Sequence, residues 1–119
     1  MIKMIVFVTK RPDLDRGEFL RIWQEEHADL VWRLPGLRRY VQNPAVQSGQ
    51  NWPYDGVAEL SFDSKVDLAK AFDTQEGAEL RAHEPSFVDR AEWLLTEERV
   101  VEPPAVPTTD IHHNEKDQP

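Results

Sequence analysis

Residues 15–40 read DRGEFLRIWQEEHADLVWRLPGLRRY, and this stretch decides the fold. Asp15 and Glu18, three positions apart, form a capping-box-like start in which each carboxylate accepts from backbone N–H groups that a first helical turn leaves unpaired. A helix therefore opens near Arg16. Phe19, Ile22, Trp23, Leu30, Val31 and Leu34 then recur at spacings of three and four, an apolar stripe that must face the body of a domain. His27 lies on the same stripe. Pro35-Gly36 stops the helix, and 37–43 reads as a strand in which Tyr40 shares a face with Arg38 and Gln42.

Working outward, residues 2–9 (IKMIVFVT) are β-branched and aromatic with apolar side chains on both parities, which predicts a central strand covered on two faces. Residues 43–53 form a polar loop. VAELSF at 57–62 alternates Ala58, Leu60 and Phe62 against Val57, Glu59 and Ser61, so it is a strand whose second face carries the carboxylate. Asp63-Ser64 caps a second helix with Val66, Leu68, Ala69 and Phe72 as its apolar set, and 75–82 continues as a short helix after a break near Thr74. Pro85 begins a turn anchored by Phe87 and Val88, and 93–101 supplies the last strand. The order β-α-β-β-α-β is the split βαβ, ferredoxin-like arrangement. It is an α+β fold with a four-stranded antiparallel sheet and both helices on one face.

The 119 residues suit one domain of ordinary size. Residues 1–101 hold all the predicted elements, and 102–119 (EPPAVPTTDIHHNEKDQP) read as a flexible, proline-rich acidic tail. A net charge of −8 repels polyphosphate backbones and anionic lipid, so nucleic acid and membrane surfaces are disfavoured as partners. Arg33, Arg38 and Arg39 beside Trp32 form the one basic cluster. Cysteine is absent, which removes thiolate nucleophiles, zinc ribbons and iron-sulfur clusters. The opening MIKMIVFVTKRP has a short apolar run and no small-residue cleavage site, and no later segment approaches membrane-spanning length, so a cytoplasmic location is expected.

Helices on one sheet face leave Ile5 and Phe7, on the parity opposite Met4, Val6 and Val8, in need of a second cover. A second copy of the chain supplies it, burying apolar area at roughly 25 cal/mol per Å2 across a two-fold interface. A homodimer is expected. The space between helix, sheet and loops is then the place for a concave pocket, where His27, Tyr40 and Glu59 are expected to meet.

The segments DRGEFLRIWQEEHADLV, LPGLRRYVQN, DGVAELSFDS and LLTEERVV together resemble the EthD-domain family of dimeric α+β barrel proteins, with the likeness spanning 2–101. Its motif is an aromatic at Phe19, then Trp23, His27 and Tyr40. The resemblance implies a ferredoxin-like dimer with a pocket between helix and sheet, in a family named for a component of bacterial ether degradation. Similar domains act as cofactor-free muconolactone isomerases, as dehydratases or cyclases of polyketides, and as small monooxygenases. His27 and Tyr40 match positions implicated in the isomerase branch. That branch also uses cysteines, which this chain lacks, so only its general acid/base idea carries over.

The chemistry of these residue types fits that idea. An ordinary histidine titrates near pH 6.5, so His27 can take or give a proton, and Tyr40 can donate a hydrogen bond to a developing enolate or phenolate oxygen. Both residues also have plain packing roles open to them, a half-buried helix histidine and a sheet tyrosine. Glu59 is either a pocket carboxylate or half of a salt bridge to Arg38, Arg39 or Arg99. Phe19, Trp23 and Trp52 are candidates for an aromatic wall, with Trp52 as a lid on its long loop, and Arg38 joins the pocket from the face of Tyr40. His83 reads as a helix-end residue. His112-His113 with Asp110 and Glu115 could hold a divalent metal, but adjacent histidines in such a tail are more often incidental. No cofactor or metal is assigned.

The expected function is a small cofactor-independent enzyme that moves protons in an apolar or aromatic-like substrate, of isomerase, dehydratase or cyclase type, in catabolic or polyketide-type metabolism. A non-catalytic dimeric accessory protein for an oxygenase system, and a small barrel monooxygenase, remain the alternatives.

Overall fold

A computed structural model of the chain describes residues 1–105. Strand β1 (Ile2–Lys10) leads into a helical rod made of α1 (Arg16–Arg21), a π-helical segment (Ile22–His27) and α2 (Ala28–Trp32). Then follow β2 (Arg39–Pro44), β3 (Gly56–Phe62), α3 (Lys65–Phe72), α4 (Gln75–His83), a 3-10 turn (Glu84–Ser86) and β4 (Val88–Glu97). The strands are ordered β2-β3-β1-β4 and every neighbouring pair is antiparallel. The architecture is the α+β, ferredoxin-like split βαβ.

Local chemistry sets the element ends. The Asp15 carboxylate accepts from the Glu18 N–H at 2.8 Å, Ser64 Oγ from the Asp67 N–H at 3.1 Å, and Thr74 Oγ1 from the Gly77 N–H at 3.1 Å. Each cap satisfies a donor that the helix start would otherwise leave unpaired. Gly36 takes a left-handed φ of 81°, the conformation that turns the chain out of the helix toward β2. The π-helical segment has no counterpart in the apolar spacing. Its wider turns carry the stripe from Trp23 to His27 and on to Val31, all three buried.

The last strand differs from expectation at both ends. It starts at Val88 rather than 93 and ends at Glu97 rather than 101. Val88 pairs with Lys10, and the polar Asp89, Arg90 and Glu92 belong to an edge strand whose outer side meets solvent, so alternation there is weak.

Sheet register divides the strands cleanly. Val6 stands between Ala58 and Trp93, Met4 between Leu60 and Leu95, and Tyr40 beside Leu60. These residues share the face beneath the helices. There Phe19, Trp23, Val31, Phe62 and Phe87 are almost wholly buried. Ile5, flanked by Glu59 and Leu94, and Phe7, flanked by Val57 and Glu92, stand on the opposite face. Among the described residues no helix lies over that face, and Leu94 is 46% exposed. The metal-binding possibility at Asp110, His112, His113 and Glu115, and most of the tail 102–119, lie outside the described residues.

Candidate functional site

Between the helices and the sheet lies a cavity of about 440 Å3, within the range that takes a small organic ligand. Its floor is Met4, Val6, Ala58 and Leu60, its helix side is Trp23, Val31, Leu68 and Leu80, and Trp93 and Leu95 of β4 flank it. The walls are thus overwhelmingly apolar. His27 and Tyr40 supply polar atoms from opposite layers, helix and sheet, and Arg81 and Glu84 add charge from the α4 end.

His27 is 7% exposed and lies edge-on to Phe87, with ring centroids 4.7 Å apart. Its Nδ1 is 3.0 Å from Nδ1 of His83, and the two rings stack with centroids 5.3 Å apart and planes 23° from parallel. Burial, reinforced by the neighbouring His83, pushes the His27 imidazole down to about 4. It is neutral at physiological pH. Tyr40 accepts at its hydroxyl from the Gln42 side-chain amide at 2.6 Å, and the same amide nitrogen donates to the Trp23 carbonyl at 2.9 Å. Burial raises the phenol above its ordinary value, opposed by the side chains of Gln42 and Trp23. Tyr40 therefore keeps its proton and remains a donor. Burial likewise raises the Glu84 carboxyl.

The other sequence-selected residues divide. Trp23 lines the cavity. Phe19 is fully buried behind that wall, 5.4 Å from the Trp23 ring and 5.8 Å from that of Phe87, and supports it without touching the space. Glu59 does not join His27 and Tyr40. Side chains alternate across a strand, so its odd position sends it through to the uncovered face, where Lys3 Nζ donates at 2.9 Å and Asn43 Nδ2 at 3.0 Å. Its salt-bridge partner is Lys3 rather than an arginine, and hydrogen bonding from Lys3 holds the carboxyl below the usual range.

Arg38 precedes β2 and is exposed, with its guanidinium 2.8 Å from Asp63, and it is not among the residues that line the cavity. Trp52 also stands apart. Its indole N–H donates to the Val46 carbonyl at 2.7 Å, and the ring borders a separate shallow depression of about 250 Å3 with Pro53 and Tyr54. It does not cover the space beside His27.

Arg81, His83 and Glu84 are the polar groups at the site that sequence reasoning missed. The cue for His83 was faint: a second histidine at the end of the second helical half, in a topology that lays the two halves side by side. Among the described residues no group of three or more His, Cys, Asp or Glu side chains is placed to hold a metal ion, and no helix is long and apolar enough to cross a membrane.

Comparison with known proteins adds a family and a set of folds. A family model described as the EthD domain matches residues 11–91. No curated protein matches the chain. Among solved structures, an ethyl tert-butyl ether D (EthD) family protein from Bacillus halodurans is 25% identical with a TM-score of 0.73, over 83% of this chain and 99% of that one. SnoaB of Streptomyces nogalater, a cofactor-independent oxygenase solved as a mutant, is 14% identical with a TM-score of 0.64, over 87% and 97%. A dimeric protein of unknown function and ferredoxin-like fold from Bacteroides fragilis is 16% identical with a TM-score of 0.63, over 82% and 95%. The latter two likenesses concern the fold.

Proposed function

The chain belongs to the EthD domain family, and from that premise we propose that it is a small cofactor-independent enzyme that moves a proton on an apolar, ring-bearing substrate. The observation that carries this reading is one apolar cavity holding a neutral histidine and a protonated tyrosine on facing walls. A flat hydrophobic substrate gains by leaving water for such walls. His27 then acts as general base or acid, and Tyr40 donates to the oxygen that gains negative charge. Isomerisation, dehydration and cyclisation share that step, and each fits catabolic or polyketide-type metabolism.

Forming an imidazolium in this cavity is opposed by burial. The step is therefore favourable only when the substrate develops its anion next to the ring, so that ion pairing offsets desolvation. This selects substrates with a fairly acidic C–H beside a carbonyl. Proton removal of the same kind would also prepare an electron-rich ring for attack on O2, the second reading, which the fold-level likeness to a cofactor-independent oxygenase supports. The protein acts as a homodimer through the uncovered sheet face, whose apolar Ile5, Phe7 and Leu94 suit a second copy.

The experiment is deuterium exchange at the acidic ring C–H of 2-tetralone in D2O, followed by NMR. The wild-type protein is expected to accelerate exchange over buffer, with a loss of about 100-fold in His27→Ala and about 10-fold or more in Tyr40→Phe. Exchange at the buffer rate, or equal rates in folded variants and wild type, would refute the proposal.

A further inference from the structure

We propose that His83, backed by Glu26, is a positioning residue that fixes the tautomer of His27, so that His27 presents an unprotonated Nε2 to the cavity. The catalytic meaning of this rests on the acid/base reading of His27; the tautomer itself does not.

The two Nδ1 atoms are 3.0 Å apart, so a single hydrogen lies between them and one ring must donate while the other accepts. Which ring owns that hydrogen is decided at the far side of His83. There Nε2 is 3.6 Å from Oε1 of Glu26, just beyond direct hydrogen-bond length but close enough for the charge to act. Hydrogen bonding from Arg21, and secondarily the presence of His83, holds the Glu26 carboxyl below its ordinary range, so it is ionised and has no proton to give. Where the His83 ring carries a single N–H, an acceptor facing Nε2 places it there. Nδ1 of His83 is then bare, the shared hydrogen belongs to Nδ1 of His27, and Nε2 of His27 is left with its lone pair.

That lone pair is free to work. Among the described residues Nε2 of His27 has no hydrogen-bond partner, and the fully buried side-chain polar atom without one is Thr9 Oγ1. His27 is 7% exposed and lines the cavity, and Nε2 is the ring nitrogen that His83 does not hold, so it is the one left to meet a ligand there. The charged groups around the pair are Glu26 from the π-helical segment, Arg21 bound to it from α1, and Arg81 and Glu84 along the chain on either side of His83.

During turnover the proton leaves the substrate carbon for Nε2 of His27, and the bonding electron pair stays on the substrate. The imidazolium so formed already donates from Nδ1 to His83, which in turn faces Glu26. Positive charge created in the apolar space is thus answered by a carboxylate at the protein surface, in the manner of a carboxylate that orients and steadies a catalytic histidine.

The test uses protein labelled with 15N-histidine and long-range 1H–15N correlation at neutral pH. In the wild type, Nδ1 of His27 is expected to be pyrrole-like and Nε2 pyridine-like. Glu26→Ala, at an exposed position, is expected to move His27 toward the Nε2–H tautomer, and His83→Phe, which keeps an aromatic ring against Phe87, to move it further. A protonated Nε2 in the wild type, or an identical tautomer in wild type and Glu26→Ala, would overturn the proposal. Should His83→Phe fail to fold, Glu26→Ala decides alone. Because the tautomer is read without substrate, lack of 2-tetralone exchange would count against the acid/base reading and leave this result intact.

Discussion

Burying His27 as a neutral ring makes a specific demand on stability at mildly acidic pH. In the unfolded chain the imidazole titrates near pH 6.5, whereas in the folded protein burial first, and His83 second, hold it at about 4. As pH falls through this window the unfolded chain takes up a proton that the folded chain refuses, so the folded state loses ground. Its stability is complete above pH 6.5 and falls until pH drops below 4. The full gap corresponds to about 3 kcal/mol, of which roughly 2 kcal/mol falls between pH 7 and pH 5. Replacing the imidazole by an apolar side chain of similar bulk, His27→Leu, removes this dependence and leaves the other titrating groups in place. Urea midpoints of both proteins at several pH values supply the comparison. The wild-type curve should be the steeper by roughly 2 kcal/mol over that interval. Parallel curves, or a His27 ring signal titrating near pH 6.5 in the folded protein, would refute the reasoning.

Three further outcomes follow from the packing. Gly56→Ala should cost about 1–3 kcal/mol in urea unfolding, because an added Cβ would lie 2.6 Å from the Trp23 ring and 3.1 Å from the Asn43 carbonyl oxygen; full retention of stability would mean that Trp23 can move aside. Glu59→Gln should leave 2-tetralone exchange untouched, since Glu59 is bonded to Lys3 on the far face, and a large loss of rate would contradict that placement. Leu94→Asp, on edge strand β4 beside Ile5 of the uncovered face, should convert the proposed dimer to a monomer in light scattering; an unchanged mass would put the interface elsewhere.

Much of this was legible in residue order because it depends on neighbours in sequence. Asp15 and Ser64 announce their helices through caps made within three residues, Thr74 was legible only as a break although it caps the next helix, and the Phe19–Trp23–Val31 spacing fixes the buried side of the rod. Strand parity also placed Glu59 opposite Leu60, although its companionship with His27 and Tyr40 did not follow from it. What escaped depends on distance and packing. The start of β4 is polar at Asp89 and Arg90 because an edge strand is only half covered. The π-helical turns carry no residue signature. The meeting of His27 and His83, 56 positions apart, exists only once the two helical halves lie side by side over the sheet.

The central claim is that the space between rod and sheet is a reaction chamber worked by His27 and Tyr40, and a crystal structure of the protein soaked with 2-tetralone tests it most directly. The account predicts the ring system stacked within the cavity beside Trp23, its oxygen accepting from the Tyr40 hydroxyl and an acidic carbon facing Nε2 of His27. A ligand seated elsewhere, for instance in the depression beside Trp52, with the main cavity empty, would contradict it.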